Sequence, residues 1–326
     1  MAGFRKAKAE QAALKIGMYG APGSGKTFTA LLCAEGLAKA CRKRVAYVDT
    51  ERGTDFYCKE VPTRQCHPSA FDFDAVYTKS LTEALSEVCA LNSETHGIVV
   101  IDSITHLWES ARNAYAGKIN AAGQIPFHAW GKIKKPYKDL VGRLLSSPMH
   151  VFILGRQGNE FAEDDETGEL KRVGTKMKAE GETAYEPHIL LRMEAIRQKS
   201  GPALVTAFAE KDRTGILAGR TIEAPDFDSL IKPIMPLLGG TQAVIESEDA
   251  TAAKDAESIA ESDRQRAETG AAIFKNLCAK MDLATTMDEL KKIGKEITPE
   301  AKREMTTDMV ASLREKYFDL EGELKR

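Results

Sequence analysis

The sequence predicts an α/β fold, with a mainly parallel central sheet flanked by helices and a small C-terminal helical unit. Short apolar segments alternate with helical segments from Leu14 to about Pro225, which is typical of parallel sheets covered by helices. The apolar segments are nearly continuous, as in parallel strands that are buried on both faces. A glycine-rich octapeptide lies between the first strand and the first helix. These three observations define the predicted class.

The order of the elements follows from the periodicity. The strands are predicted at Leu14–Tyr19, Arg44–Thr50, Gly97–Asp102 and His150–Leu154, and the helices at Phe28–Lys39, Leu81–Leu91, Ser103–Gly117 and Pro126–Leu145. Residues 160–173 predict two short polar strands around an Asp-Glu-Thr-Gly turn. Residues 188–197 and 203–213 predict two further strands joined by Lys-Ser-Gly-Pro. We expect these last strands to be antiparallel additions at the sheet edge.

Composition divides the chain into three parts. Residues 1–239 carry the α/β pattern. Residues 240–265 are small and acidic, which predicts a flexible linker because too little apolar surface is available for burial. Residues 266–326 contain three helical patterns, and Thr298-Pro299-Glu300 marks the start of the third.

The bulk composition is that of an ordinary globular protein, with 326 residues, 43% apolar, 29% charged and a net charge of −2. No apolar stretch approaches the roughly 20 residues of a membrane span, and the basic N-terminus lacks the apolar core of a secretory signal. We therefore expect a cytoplasmic protein with reduced thiols. Cys58, Cys66 and His67 lie close together but lack the spacing of a zinc site. The histidines form no ligand pair on a helix face, and we interpret them as structural.

The octapeptide Gly-Ala-Pro-Gly-Ser-Gly-Lys-Thr at residues 20–27 matches the phosphate-binding motif G-x-x-x-x-G-K-[ST]. Glycines let the backbone turn its N–H groups inward, and the N-terminus of the following helix adds a positive dipole. Lys26 is expected to reach the β- and γ-phosphates, and the Thr27 hydroxyl to bind Mg²⁺. The predicted nucleotide-binding residues are Gly20, Ala21, Pro22, Gly23, Ser24, Gly25, Lys26, Thr27 and Phe28. The predicted cofactors are ATP and Mg²⁺. The alternative interpretation of the octapeptide is a glycine-rich turn that matches the motif by chance.

Two acidic residues at strand ends are candidates for the chemistry of hydrolysis. Asp102 ends the strand GIVVID, which we expect to lie beside the phosphate-loop strand, and its carboxylate is a candidate Mg²⁺ ligand. The alternative for Asp102 is a helix N-cap. Glu51 follows the strand VAYVDT and could orient or deprotonate the attacking water. Asp49 and Asp55 compete for that role, and the alternative is a surface glutamate.

Two pairs of polar residues follow later strands. Arg156 and Gln157 come after the strand HVFIL, where a side chain can sense the γ-phosphate; the sequence does not separate them. Lys211 and Arg213 alternate along the last long strand, so both lie on one face. They could act on the γ-phosphate of a neighbouring subunit. A solvated loop end or charged turn is the alternative for each pair.

Two basic segments are candidates for nucleic-acid contact. Trp130–Lys138 interleaves lysines with Trp130 and Tyr137, which suits charge contacts and base stacking on single strands. The alternative is an amphipathic helix with its aromatic residues packed inward. The second segment, Lys171–Lys178, follows the candidate sensor residues. Its lysines equally allow nucleic-acid contact or a solvated charged surface.

Taken in order, these segments resemble the RecA-type recombinase ATPase core. GAPGSGKT is similar to its phosphate loop, VAYVDTERGT to the strand with the catalytic glutamate, GIVVIDSITHL to the metal-binding strand and HVFILGRQGNE to the sensor strand. The resemblance implies Glu51 as the base, Asp102 as the metal-binding acid and a DNA-binding loop after the sensor. The family's Asn-Gln sensor corresponds here to Gly155-Arg156-Gln157. The resemblance covers about Leu14 to Pro225.

KMKAEGETAYEPHILLRME (residues 176–194) and EKDRTGIL resemble a phage-encoded branch of RecA-like ATPases associated with single-strand annealing and recombination. The Lys-x-Arg at 211–213 also resembles the trans-acting pair of DnaB-type ring helicases. The resemblance implies a DNA-stimulated ATPase that binds single-stranded DNA, with ATP between the subunits of a ring or filament. For a phage-encoded chain it implies a place in the host cytoplasm. The C-terminal helices lie outside the resemblance; they could bind a partner, such as a single-strand-binding protein, or cap the oligomer. The alternatives are a ring helicase or translocase and a small-molecule phosphotransferase.

Overall fold

The computed structural model describes residues 13–64, 66–114, 125–126, 129–164, 168–239 and 248–325. The chain divides into two compact units, Met1–Ser247 and Glu248–Arg326. Among the described residues, no helix combines the length and the apolar character needed to cross a lipid bilayer.

The strands of the first unit are β1 (Lys15–Gly20), β2 (Arg44–Asp49), β3 (Asp74–Tyr77), β4 (His96–Asp102), β5 (His150–Glu163), β6 (Leu170–Met177), β7 (Ile189–Ile196), β8 (Leu204–Asp212) and β9 (Thr221–Glu223). Its helices are α1 (Lys26–Cys41), α2 (Leu81–Ala90), α3 (Ile104–Asn113) and α4 (Trp130–Ser146). The predicted extension of α3 to Gly117 lies outside the described residues. Strand β3 was not predicted, because it is only four residues long and none of its side chains is fully buried.

The strands pair in the order β3-β2-β4-β5-β1-β7-β8-β9, and β6 pairs with β5. The pairs from β3 to β7 are parallel, whereas β8 and β9 are added antiparallel. The predicted α/β class with a mainly parallel sheet flanked by helices is therefore confirmed. The predicted polar strand pair is also present, because the outer part of β5 and β6 form an antiparallel hairpin.

Two expectations about strand neighbours are wrong. The strand with Asp102, β4, does not lie beside the phosphate-loop strand β1, because β5 is inserted between them. Strand β7 is not an antiparallel strand at the edge of the sheet. It pairs in parallel with β1 on one side and with β8 on the other, so it lies inside the sheet. Strands buried on both faces have similar apolar sequences, so the sequence pattern does not reveal which of them are neighbours.

Apolar layers cover both faces of the sheet. One layer joins the sheet to α1 and to a short helical turn at Phe227–Ile231, with Leu31, Leu37 and Ile231 at its centre. The other joins the sheet to α2, α3 and α4 through Leu81, Leu107 and Leu140. Because the strands from β3 to β7 are parallel, their carboxyl ends lie at one edge of the sheet between these two layers.

The second unit consists of α5 (Glu248–Asp282), α6 (Met287–Glu296), α7 (Pro299–Glu304) and α8 (Thr307–Leu324). Its own core contains Leu277, Met281, Leu290, Ile293 and Leu313. Thr286 and Glu289 form a reciprocal capping box at the start of α6. The third predicted helix is two helices, because Met305 is extended and Thr306 caps a new start.

The predicted linker at 240–265 also differs from the structure. Residues 240–247 lie outside the described residues, but α5 begins at Glu248, so the described part of the predicted linker is helical. Its alanines, glutamates and lysines are strong helix formers. Low hydrophobicity therefore indicated the exposure of residues 253–265 correctly but did not indicate that they are helical.

Candidate nucleotide-binding site

The carboxyl ends of four parallel strands meet at one edge of the sheet. Gly20 at the end of β1 is the register partner of Arg156 in β5, and Asp49 in β2 is the partner of Asp102 in β4. This convergence brings together segments that are far apart in the sequence. Ligands of open α/β sheets bind outside such strand ends.

A cleft of about 600 Å³ lies at this edge. Its lining residues are Pro22, Gly23, Gly25, Lys26, Thr27, Phe28, Glu51, Tyr57, Asp102, Ser103, Arg156, Gln157 and Lys178. Six of the nine predicted nucleotide-binding residues, the metal-binding Asp102, the candidate base Glu51 and both sensor candidates therefore line a single cleft, whereas Gly20, Ala21 and Ser24 are not among its lining residues. Its volume is within the range of small-molecule sites, roughly 300–1,000 Å³.

The phosphate loop has the backbone that its glycines permit. Gly23 and Gly25 have φ values of 75° and 88°, in the left-handed region that residues with a Cβ rarely adopt. A Cβ on Gly20 would lie only 2.3 Å from the carbonyl oxygen of Met193. The loop leads directly into α1, whose first turn presents unpaired N–H groups. This backbone geometry fits the concave anion site that the sequence predicts.

Lys26 extends over its own loop. Its ammonium donates hydrogen bonds to the carbonyl oxygens of Gly20 at 2.9 Å and Ala21 at 3.0 Å. Partial burial lowers the Lys26 pKa, while the carboxylates of Asp102 and Glu51 oppose that shift. The ammonium thus lies between the loop and the acidic side of the cleft, where phosphate oxygens would compete for it.

Asp102 and Thr27 are in direct contact. The Thr27 hydroxyl donates to Asp102 Oδ2 at 2.6 Å, and the Tyr47 hydroxyl donates to the same oxygen at 2.8 Å. Burial raises the pKa of Asp102, and the nearby charges of Glu51 and Asp49 raise it further. A buried carboxylate among other carboxylates is destabilised unless a cation is close. The oxygens of Thr27 and Asp102 therefore fit a hard divalent cation such as Mg²⁺.

Asp49 positions Glu51 and is not free to compete with it. Its Oδ1 accepts hydrogen bonds from the backbone N–H groups of Glu51 and Arg52, at 2.8 and 2.7 Å. Its Oδ2 accepts from the Thr54 hydroxyl at 2.6 Å. The other competitor, Asp55, accepts from the Tyr77 hydroxyl and does not line the cleft. Of the three acids considered for the base, Glu51 alone lines it.

Glu51 forms an ion pair with Arg156, whose Nη2 and Nε lie 2.9 and 3.2 Å from Glu51 Oε1. Gln157 also lines the cleft, so both sensor candidates are present. His106 Nδ1 lies 3.8 Å from the same Glu51 oxygen and 2.7 Å from the Thr50 hydroxyl. Burial lowers the pKa of His106, and Arg156 lowers it further. Among the histidines interpreted as structural, His106 is thus the one described next to the candidate base.

The base of the β5–β6 hairpin is connected to the cleft. The Thr105 hydroxyl, at the start of α3, accepts from the Arg156 N–H at 2.9 Å and donates to the Lys178 carbonyl oxygen at 2.6 Å. The Lys178 ammonium pairs with Glu109 of α3 at 2.7 Å. The hairpin and the residue that contacts Glu51 therefore share one hydrogen-bonded junction.

Lys211 and Arg213 do not lie in this cleft. Strand β8 is antiparallel, and its last residue, Asp212, is the register partner of Ile189 at the start of β7. Both cations therefore lie at the opposite edge of the sheet from the phosphate loop. There each donates to the carbonyl oxygen of Tyr185. In this arrangement neither cation acts on a phosphate bound by its own chain.

The aromatic residues of the basic segment Trp130–Lys138 face inward. Tyr137 is buried, its hydroxyl lies 2.8 Å from that of Thr183, and its ring packs against Trp108. Trp130 packs against the same apolar layer. The amphipathic-helix alternative is therefore the correct one for this segment.

Four residues in or next to the cleft were not singled out by the sequence. Tyr57 and Ser103 line the cleft, Tyr47 binds Asp102, and Thr105 connects Arg156 to Lys178. Only Tyr47 carried a signal, since residues two apart on a strand share a face and Tyr47 is two residues before Asp49. The others are brought to the cleft by loop and helix packing.

A family model for the AAA domain matches residues 12–216. The chain belongs to this AAA domain family. It is therefore a P-loop ATPase of the AAA type, and the phosphate loop, the strand ends and the cleft all lie within the matched range. No curated protein matches the chain.

Proposed function

We propose that the chain is a Mg²⁺-dependent ATPase that assembles on single-stranded DNA and promotes annealing or strand exchange. The observation that carries the ATPase part is the meeting of Lys26, Thr27, Glu51 and Asp102 in one cleft. Each has the chemistry that phosphoryl transfer requires: a phosphate-binding cation, two hard oxygen ligands and a base.

In this proposal Thr27 and Asp102 hold Mg²⁺, which would neutralise charge on the β- and γ-phosphates. Glu51 accepts a proton from a water molecule as that water attacks the γ-phosphorus. The bond from the γ-phosphorus to the bridging oxygen breaks, and ADP and phosphate leave. Lys26 stabilises the negative charge of the equatorial oxygens.

The ion pair between Arg156 and Glu51 supports a sensing role for Arg156. A γ-phosphate carries more negative charge than a carboxylate and presents paired oxygens to a guanidinium. Bound ATP therefore competes with Glu51 for Arg156 and releases the glutamate for catalysis. Gln157, beside it in the cleft, is available to orient the attacking water.

Assembly is supported by the positions of Lys211 and Arg213. A cleft at one edge of the sheet and a cation pair at the other suit a head-to-tail contact between copies, which generates rings or filaments. The cations of one copy would then complete the site of the next.

The DNA part is supported by the hairpin after the sensor strand. Phe161 is 55% exposed and is the register partner of Arg172, so an aromatic ring and a guanidinium share one face. Lys176 is exposed on the same hairpin. Exposed aromatic and cationic groups bind single strands by stacking and charge, and the junction at Thr105 would transmit binding to Arg156.

The deciding experiment measures ATP turnover with and without single-stranded DNA, using Lys26→Ala to define background. We expect stimulation by single strands and little by duplex DNA. Phe161→Ala with Arg172→Ala should remove the stimulation and leave basal turnover, whereas Phe318→Ala, an exposed phenylalanine of the helical unit, should change neither. No DNA binding and no stimulation would contradict the DNA role. Unidirectional duplex unwinding would indicate a ring helicase instead, and a phosphorylated metabolite a phosphotransferase.

A further inference from the structure

The His106 ring lies between the start of α3 and the turn that carries Glu51. Its Nδ1 atom is 2.7 Å from the Thr50 hydroxyl oxygen and 3.8 Å from Glu51 Oε1. The His106 side chain is 13% exposed, whereas the Glu51 side chain is 42% exposed. His106 therefore lies beside the candidate base on its more buried side, and the hydrolysis scheme proposed above gives it no role.

The hydrogen bonds of Thr50 determine which form of the His106 ring fits. The Thr50 hydroxyl oxygen accepts from the Ser103 backbone N–H at 2.8 Å. Its own proton remains to be donated, and among the described residues His106 Nδ1 is the acceptor within reach. Nδ1 accepts this bond in a neutral ring that carries its proton on Nε2. A neutral His106 thus fixes Thr50, the residue directly before Glu51, and makes no hydrogen bond to the carboxylate.

Charged side chains from several elements face the ring. Burial has the largest effect and lowers the His106 pKa, and Arg156 of β5 lowers it further. Glu51 opposes that shift, Lys79 after β3 adds to it, and Glu109, one turn along α3, opposes it. A γ-phosphate that draws Arg156 away from Glu51 would remove one of the lowering charges. The carboxylate of Glu51 would then be left with the His106 ring beside it.

We propose that His106 is a positioning residue for the candidate base Glu51, an inference that rests on the proposed ATPase function. In its neutral form His106 holds Thr50 and leaves the Glu51 carboxylate available to the attacking water. In its protonated form Nδ1–H is a charge-assisted donor, and the carboxylate 3.8 Å away is a stronger acceptor than the Thr50 hydroxyl. The imidazolium then binds Glu51, which can no longer accept a proton from water.

The first test measures the pH profile of kcat for MgATP in the full-length chain. We expect turnover of the unaltered chain to fall on the acid side of neutrality as one group gains a proton. His106→Asn keeps an acceptor for Thr50 but cannot become a cation, so its fall should lie about one pH unit or more lower. His96→Asn, at the opposite end of β4 from Asp102, is the matched control and should keep the unaltered profile. An unchanged profile in His106→Asn would overturn the proposal.

His106→Phe separates the positioning of Thr50 from the charge of the ring. Phenylalanine fills the space but offers Thr50 no acceptor, so kcat should fall about tenfold at every pH, as expected for one lost hydrogen bond. The KM for ATP should stay unchanged. A raised KM with unchanged kcat would show that the ring acts on nucleotide binding and would overturn the positioning role. All variants retain His150 and His188, so acid unfolding would lower their profiles alike, and circular dichroism at each pH monitors it.

A second test needs no turnover. In the full-length chain with isotope-labelled histidine, NMR titration follows the His106 ring. Glu51→Gln should lower the His106 pKa and Arg156→Gln should raise it, because each variant removes one charge that faces the ring. The His96 ring is the internal control in the same spectra. An unchanged His106 pKa in both variants would overturn the inference. These shifts without ATP turnover of the unaltered chain at any pH would instead contradict the proposed ATPase function.

Discussion

Arg156 and Glu51 are 105 residues apart in sequence, yet the guanidinium contacts the carboxylate at 2.9 Å across the nucleotide cleft. Strand β5 carries Arg156 to this edge of the sheet, and Asp49 holds the turn that presents Glu51. The candidate sensor Arg156 is therefore in direct contact with the candidate base Glu51.

Arg156→Gln should lower kcat for ATP at least tenfold, because a γ-phosphate would lose a paired cationic donor. Arg156→Lys keeps the charge but not the planar fork, so its kcat should be intermediate. Steady-state phosphate release measures both. Unchanged turnover in Arg156→Gln would exclude a sensing role and leave Gln157 as the candidate.

Glu51→Gln should reduce turnover by roughly 100-fold or more while ATP still binds, because the amide cannot accept a proton from water. ATP binding is measured by the shift in Tm and turnover by phosphate release. Glu60→Gln, an exposed glutamate of the same loop, is the matched control and should behave as the unaltered chain. Full activity in Glu51→Gln would assign the base elsewhere.

Subunit mixing tests the role of the distant cation pair. The double variant Lys211→Ala/Arg213→Ala and the variant Lys26→Ala should each be inactive alone. When they are mixed, some interfaces combine an intact phosphate loop from one copy with intact cations from another, so partial turnover should return. Full activity of the double variant, or no recovery on mixing, would contradict catalysis across an interface.

Two histidines at the edge of the sheet opposite the nucleotide cleft should lower the stability of the fold at acid pH. His150 and His188 accept hydrogen bonds from the backbone N–H groups of Leu14 and Lys15. Burial lowers both histidine pKa values from 6.5 to about 4, and the nearby Lys15 charge contributes. Between these pH values the unfolded chain binds more protons than the folded one, so stability falls as pH drops from about 6.5 to 4.

For the buried His150 this loss amounts to roughly 3 kcal/mol by the end of that range. Burial lowers the Lys15 pKa to about 7, so the pH dependence that Lys15 itself causes lies mainly above that range, where the folded chain loses a proton that the unfolded chain keeps. His150→Asn keeps an acceptor for the Leu14 N–H and should flatten the acid branch of the Tm profile. An identical profile in that variant would show that His150 does not set it.

The helical unit should depend on its own core. In a fragment of residues 248–326, Leu290→Ala should lower the free energy of unfolding by about 3 kcal/mol, because Leu290 is fully buried. Leu283→Ala, at a leucine that is 80% exposed, should cost little. Urea titration followed by circular dichroism measures both. Equal effects would contradict the core described for this unit.

The sequence predicted the local features well. The phosphate loop, its flanking strand and helix, and the strand-end positions of Asp102 and Glu51 follow from patterns within a few residues. Glycines, apolar runs and caps act on neighbouring backbone, so their consequences can be read locally. The same reading failed for residues 248–265, where helix propensity outweighed the low hydrophobicity.

The sequence by itself therefore determined that this chain has a phosphate loop in an α/β fold and which acids end its strands. Only the tertiary structure decided that β5 separates β1 from β4, that Arg156 contacts Glu51, and that Lys211 and Arg213 lie at the far edge. Strand order and register arise from packing between distant segments, and several apolar strands satisfy the same pattern. That non-local choice is what places each side chain inside or outside the cleft.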